Sequence, residues 1–200
     1  MIRLTNAFFV KSASKLDETT PESISEVAFV GRSNVGKSSI INALTNKKGL
    51  AKSSSTPGKT RLINFFHVNF VKDESTYEAQ LVDLPGFGYA KVSKSTKIEW
   101  QKNLTEYIKK RASIRLFVHL IDGRHPLLES DEEVYGYLQS ILRPDQTILR
   151  IFTKADKLSQ SEISVIKKHY PDAIMVSNTS KKGMDKAKMS IFEHLFGVDA

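Results

Sequence analysis

Cysteine is absent from the 200 residues, which excludes disulfides, thiol nucleophiles and cysteine-ligated zinc or iron–sulfur sites. No apolar run approaches the roughly 20 residues of a membrane-spanning helix. The apolar part of the opening MIRLTNAFFVKSASK is too short for a secretory signal. Internal repeats, low-complexity tracts and long Pro/Gly-rich linkers are missing as well. The histidines, His67, His119, His125, His169 and His194, are scattered without metal-ligand spacing. What is present, 40% hydrophobic and 26% charged residues, is the composition of a globular protein. These absences lead to the expectation of a soluble, cytoplasmic protein, by default a monomer, with neither a membrane nor DNA as partner. The length suits one domain over 1–200, with 1–22 as an N-terminal extension.

Charge is the first positive feature. The formal net charge is +8, and the stretch from Lys37 to Arg111 carries 14 basic and 6 acidic residues, so the remainder is balanced. A basic excess can serve solubility alone. The sharper reading is an anionic partner.

Apolar bursts alternate with amphipathic stretches. Strands are expected at 27–30, 62–71, 77–82, 116–121, 147–153 and 173–176, and helices at 38–44, 95–111, 129–142, 160–169 and 184–196. Residues 72–75 read as a hairpin turn between the second and third strands, and Arg3 to Val10 as either an edge strand or a loosely packed segment. Such alternation predicts an α/β fold: a mostly parallel central sheet with one antiparallel strand and helices on both faces. Trp100 and Tyr107 lie at helical spacing that suits packing better than RNA stacking.

Gly31-Arg32-Ser33-Asn34-Val35-Gly36-Lys37-Ser38 fits G-x-x-x-x-G-K-[ST] in full, directly after a strand and opening a helix. Glycines let the backbone close around a phosphate, and the N–H groups at the helix start then face the anion. Lys37 would reach the β- and γ-phosphates and the Ser38 hydroxyl would bind Mg²⁺. Asp83-Leu84-Pro85-Gly86 follows the strand that ends at Val82. Alone it is an ordinary turn, but one hairpin after a P-loop Asp83 can hold Mg²⁺ through water and Gly86 can bring its N–H to a γ-phosphate. Thr153-Lys154-Ala155-Asp156 closes another strand. A carboxylate there accepts both N1–H and the exocyclic amine of guanine, a donor pair that adenine lacks, while Lys154 lays its alkyl stem over the base. Three boxes in register point to GTP and GDP.

These boxes resemble the translation-factor class of Ras-like P-loop GTPases. Gly31 to Ser39, Thr56-Pro57-Gly58-Lys59-Thr60, Asn64-Phe65-Phe66 and above all Asp83-Leu84-Pro85-Gly86-Phe87-Gly88-Tyr89-Ala90 are similar to the EngB (YihA/YsxC) family, and the resemblance runs from Phe8 to the last helix. It implies that Ser38 and Thr60 ligate Mg²⁺, with Thr56 the rival to Thr60. It also implies that Gly58, Lys59, Thr60, Arg61 and Leu62 form the first switch. Val176, Ser177 and Asn178 would be the last guanine-contacting segment, although Asn178 stands where many GTPases have alanine. The family further implies assembly of the bacterial large (50S) ribosomal subunit, with its precursor and rRNA as partners, and normal septation in cell division.

Phe87 occupies the place where many Ras-like enzymes orient water with Gln, so slow intrinsic hydrolysis is expected. Catalytic residues are not pinned down; Lys37 and Asn34 are candidates for charge stabilisation. In related GTPases an Asn at the place of Asn34 can hold K⁺ against the phosphates, and a plain loop hydrogen bond is the alternative. Lys47, Lys48, Lys52, Lys59 and Arg61, then Lys91, Lys94, Lys97, Lys102, Lys109, Lys110 and Arg111, flank the two switch segments and suit a polyanion whose grip depends on the nucleotide. A nucleotide kinase borrowing the P-loop is argued against by the T-K-x-D box. A cell-division scaffold using GTP structurally is the remaining alternative.

Overall fold

The computed structural model describes residues 2–52, 62–87 and 94–197, leaving aside the side chains of 94–100. Seven strands run as β1 (Arg3–Ala13), β2 (Glu26–Gly31), β3 (Ile63–Lys72), β4 (Ser75–Asp83), β5 (Ile114–Asp122), β6 (Thr147–Thr153) and β7 (Ile174–Met175). Five helices follow in their expected places: α1 (Lys37–Thr45), α2 (Lys94–Lys110), α3 (Glu129–Ile141), α4 (Gln160–His169) and α5 (Met184–Phe196).

The sheet order is β1-β3-β4-β2-β5-β6-β7. β3 pairs antiparallel with both β1 and β4, and every other pairing is parallel. One strand is therefore reversed in an otherwise parallel sheet, as the alternation predicts. β2 is buried along its whole length, and its side chains alternate between two cores. Val27 and Phe29 pack with Ile40, Ile41, Leu44, Ile191 and Phe192 of α1 and α5. Ala28 and Val30 pack with Leu104, Tyr107, Val134 and Leu138 of α2 and α3. Ile121 and Phe152 meet Ile166 of α4. Strand order reverses at β2, so the carboxyl ends of β4, β2, β5 and β6 lie around a crevice, the place where such sheets bind ligands.

The segment from Arg3 is an edge strand rather than loosely packed, and it runs three residues past Val10, to Ala13. Its pairing with β3 slips between Thr5 and Phe8 and again between Phe9 and Lys11. Asn6 sits there at φ 47°. β3 and β4 are joined by a tight turn at Asp73, whose φ of 54° suits a two-residue hairpin.

The amino end of β2 carries a buried ionic cluster that corrects one expectation. Arg111 is not part of a polyanion-facing surface: it is 2% exposed. Its Nε donates to both Glu26 oxygens at 3.1 Å, and its Nη1 donates to the Thr20 carbonyl at 2.7 Å and Thr19 Oγ1 at 2.9 Å. Nη2 donates to Thr20 Oγ1 at 3.0 Å, and the Tyr107 hydroxyl donates to Glu26 at 3.1 Å. Glu26 lies in a strand buried on both faces, so an apolar pattern hides its need for a cation. Removing the guanidinium leaves that carboxylate buried and unpaired. Arg111→Met is expected to cost about 3–5 kcal/mol of stability in urea unfolding. Arg111→Lys should recover part of the loss, keeping the charge but not the fork.

Candidate functional site at the carboxyl edge of the sheet

The segment from Gly31 to Ser38 leaves β2 and turns into α1. Gly31 is required by a close approach: a Cβ there would lie 2.6 Å from the Leu120 carbonyl oxygen of β5. Gly36, at φ 106°, is the residue before α1 and lets the chain swing into the helix in a left-handed conformation. Asn34 is also left-handed, at φ 60°. Lys37 folds its ammonium back across the loop, donating to the carbonyls of Gly31 at 3.1 Å and Arg32 at 3.2 Å. Burial pushes this amine below the usual lysine range, with Asp83 acting in the opposite sense. Ser39 follows in the first turn of α1.

Asp83 ends β4 beside this loop. The Ser38 hydroxyl donates to its Oδ2 at 2.8 Å, while its Oδ1 is buried with no hydrogen-bond partner among the described residues. Burial raises the Asp83 carboxyl above its ordinary value, against the pull of Lys37 and Ser38. Leu84 N–H donates to the Phe29 carbonyl at 3.2 Å and Phe87 N–H to that of Gly31 at 3.3 Å, so the turn through Pro85 runs along β2 and the loop. Gly86 is pressed against Ser33: a Cβ there would meet Ser33 Oγ at 2.5 Å and its backbone N at 3.0 Å. The loop and the D-x-x-G turn are thus one packed unit.

The third box is tied to the first from the other side. Thr153 Oγ1 donates to the Val35 carbonyl at 2.7 Å. Lys154, at φ 59°, donates to the Asn34 carbonyl at 2.9 Å and to Asp122 at 2.8 Å. Asp122 ends β5 and was not among the residues picked out from the sequence. Its carboxyl stays well below the ordinary aspartate range because Arg124 and Lys154 hydrogen-bond it against the cost of burial. Ala155 N–H donates to the Val176 carbonyl at 3.0 Å, and the Ser177 hydroxyl donates to Asp156 at 2.7 Å. That bond holds the Asp156 carboxyl below its usual value. Asn178 reaches the first box, its Nδ2 lying 3.4 Å from where a Gly36 Cβ would be, with a buried Oδ1 that has no hydrogen-bond partner among the described residues. The three boxes and the 176–178 segment converge. Of the residues expected to form a first switch, Gly58, Lys59, Thr60 and Arg61 lie outside the described residues, as do Thr56 and Gly88 to Lys91. Leu62 is described and is largely exposed.

A pocket beside the loop is lined by Arg32, Asn34, Asp122, His125, Asp131 and Lys154, among others. Asp131 enters it from the first turn of α3, 2% exposed, with neither oxygen hydrogen-bonded among the described residues and Arg32 3.8 Å away. By sequence Asp131 is one of three acidic residues in the first turn of α3. Only the tertiary fold buries it.

A strand-to-helix phosphate loop, an Asp-ended strand and a T-K-x-D turn, meeting at the carboxyl edge of one sheet, define a P-loop GTPase. A family profile described as 50S ribosome-binding GTPase matches residues 26–154. The "Probable GTP-binding protein EngB" of Campylobacter jejuni is 53% identical over 196 residues, spanning 98% of this chain and 99% of its own. That of Wolinella succinogenes is 46% identical over 200 residues, all of both chains. The chain belongs to the EngB family of GTP-binding proteins. A crystal structure of a probable GTP-binding protein engB shares the fold, with TM-score 0.62 and 24% identity over 86% of this chain and 98% of that one. The Era protein of Aquifex aeolicus bound to GDP and AlF4⁻ shares it too, with TM-score 0.63 and 22% identity over 86% of this chain and 57% of that one.

Burial lifts the Asp131 carboxyl to about 6, with Arg32 opposing the rise. Its folded value thus lies above the unfolded one, and the folded state holds the extra proton between about pH 4 and 6. Stability from this group is present below that window and is lost as pH rises through it. Asp131→Asn should therefore raise stability at pH 7.5 by about 3 kcal/mol and leave it nearly unchanged near pH 3.5, read from urea unfolding at both pH values.

Proposed function

We propose that the protein is a GTP-controlled switch in assembly of the bacterial large ribosomal subunit, with rRNA of the subunit precursor as the polyanion it faces and with slow hydrolysis to GDP. The observation that carries this reading is the meeting of the Gly31–Ser38 loop and the Asp156 carboxylate at one edge of the sheet; in the sequence the basic segments 47–61 and 91–110 lie next to the first two boxes. The family's description as a 50S ribosome-binding GTPase supports the identity of the partner.

In this reading the backbone from Gly31 to Ser39 wraps the phosphates. Lys37 exchanges the carbonyls of Gly31 and Arg32 for phosphate oxygens, which stabilise its charge better. Asp83 Oδ1 and the Ser38 hydroxyl are an all-oxygen donor set suited to Mg²⁺ and its waters, and an orphaned buried carboxylate oxygen fits that ion. Bound there, Mg²⁺ would supply neutralisation of the phosphate charge. Thr60 is the further ligand proposed from the first switch, in the segment Gly58 to Leu62. K⁺ against Asn34 would add positive charge where an arginine finger is otherwise needed. Gly86 meets the γ-phosphate with its N–H, and Phe87 offers no group to orient water, which keeps turnover slow. Asp156, held by Ser177, accepts the two guanine donors while Lys154 covers the ring. Val176, Ser177 and Asn178 close the base site.

Guanine selection and partner binding are tested separately. Asp156→Asn is expected to weaken GTP binding about 100-fold or more and to favour xanthosine triphosphate, whose C2 carbonyl accepts from the new amide. Competitive nucleotide titration reads both effects. On sucrose gradients, association with large-subunit precursors should differ between a non-hydrolysable GTP analogue and GDP. Equal association in both states would overturn the switch.

A further inference from the structure

Residues 1–16 and 27–72 contain no aspartate or glutamate, yet carry eleven lysines and arginines. Within these stretches lie β1, the free edge strand of the sheet, and β3 beside it. That edge is closed to a partner strand. Two register slips interrupt β1, and Lys47 donates to the Ala7 carbonyl at 2.5 Å, devices that guard an edge against strand addition. It nevertheless displays Phe8 at 46% exposure, Phe9 at 50% and Val10 at 38%. Phe8 lies stacked on His67 of β3, with ring centroids 4.9 Å apart and planes at 24°. His67 is in turn held by Asn69 at 2.9 Å. Arg3 and Lys11, both exposed, stand on either side of Phe8 along β1. Across β3, β4 places Gln80 opposite His67, and its nearest carboxylate, Glu78, two residues further along.

We infer that this edge is a single-stranded RNA platform: an unpaired base extends the Phe8–His67 stack, and Arg3 and Lys11 take the flanking phosphates. The inference rests on the rRNA reading above and adds a face to it, beyond the segments 47–61 and 91–110. Oriented aromatic rings without neighbouring carboxylates suit a base better than an acidic peptide, which would find cations but nothing to stack. β3 continues directly from the first switch, and Ser12 Oγ donates to Asn64 at 2.6 Å, so the platform is bonded to the strand on which that switch ends.

The test uses the full chain with a GTP analogue, a labelled single-stranded uridine oligonucleotide and a duplex RNA of equal length. Phe8→Ala, at an exposed position, should weaken single-strand binding about 5–100-fold and leave duplex binding unchanged. Phe8→Trp should keep the affinity, and Lys11→Gln should make its salt dependence shallower. Single-strand binding unaltered by Phe8→Ala overturns the inference. So does a Phe8→Ala protein that leaves large subunits while still holding the oligonucleotide, which assigns the edge to a protein partner. Wild-type protein that ignores large subunits but loses the oligonucleotide with Phe8→Ala upholds the platform and sinks the ribosomal reading instead.

Discussion

The hold on the phosphate loop from behind governs this structure. A loop that offers its N–H groups to an anion must direct its carbonyls elsewhere, and each outward carbonyl needs a donor. The Val35 carbonyl takes the Thr153 hydroxyl and the Asn34 carbonyl takes Lys154. That of Gly31 takes the Phe87 N–H and that of Arg32 the Val35 N–H, bonds that do not depend on Lys37. The T-K-x-D box is therefore part of the support of the Gly31–Ser38 loop, whatever else its side chains contact. This dependence explains why boxes separated by more than a hundred residues must sit at fixed strand ends.

Burial on both faces of β2 follows from the same demand. A loop that approaches β5 to within 2.6 Å of where a Gly31 side chain would be tolerates little movement of the strand beneath it. Two cores, one under α1 and α5 and one under α2 and α3, clamp that strand. At its opposite end the Glu26–Arg111 pair satisfies the charge that enters the sheet with it.

Much of this was legible in the chain because it is local. The spacing of Gly31, Gly36, Lys37 and Ser38 encodes a turn and a helix start, and Thr153 to Asp156 ends an apolar run. β1 was ambiguous because a strand paired on one side only, interrupted by bulges, shows weak alternation. Asp122, Asp131 and Glu26 were not legible at all. Each is an ordinary acidic residue by sequence, and its role comes from what lies opposite: Lys154, Arg32 and Arg111. Arg111 itself was misplaced for the same reason, since a basic residue at a helix end usually stays in water. Asn178 was legible as a position and not as a contact, because its amide reaches Gly36 across the fold.

The Arg111 cluster has a mechanical side. α2 is 17 residues, Lys94–Lys110, and the guanidinium just past its last turn is bolted to β2 and to the Thr19–Thr20 segment. The helix is thus a lever with its fulcrum at the tail. Over a length of about 25 Å, a tilt of ~10° about that fulcrum carries the head of the helix about 4 Å and barely moves the residues around Tyr107.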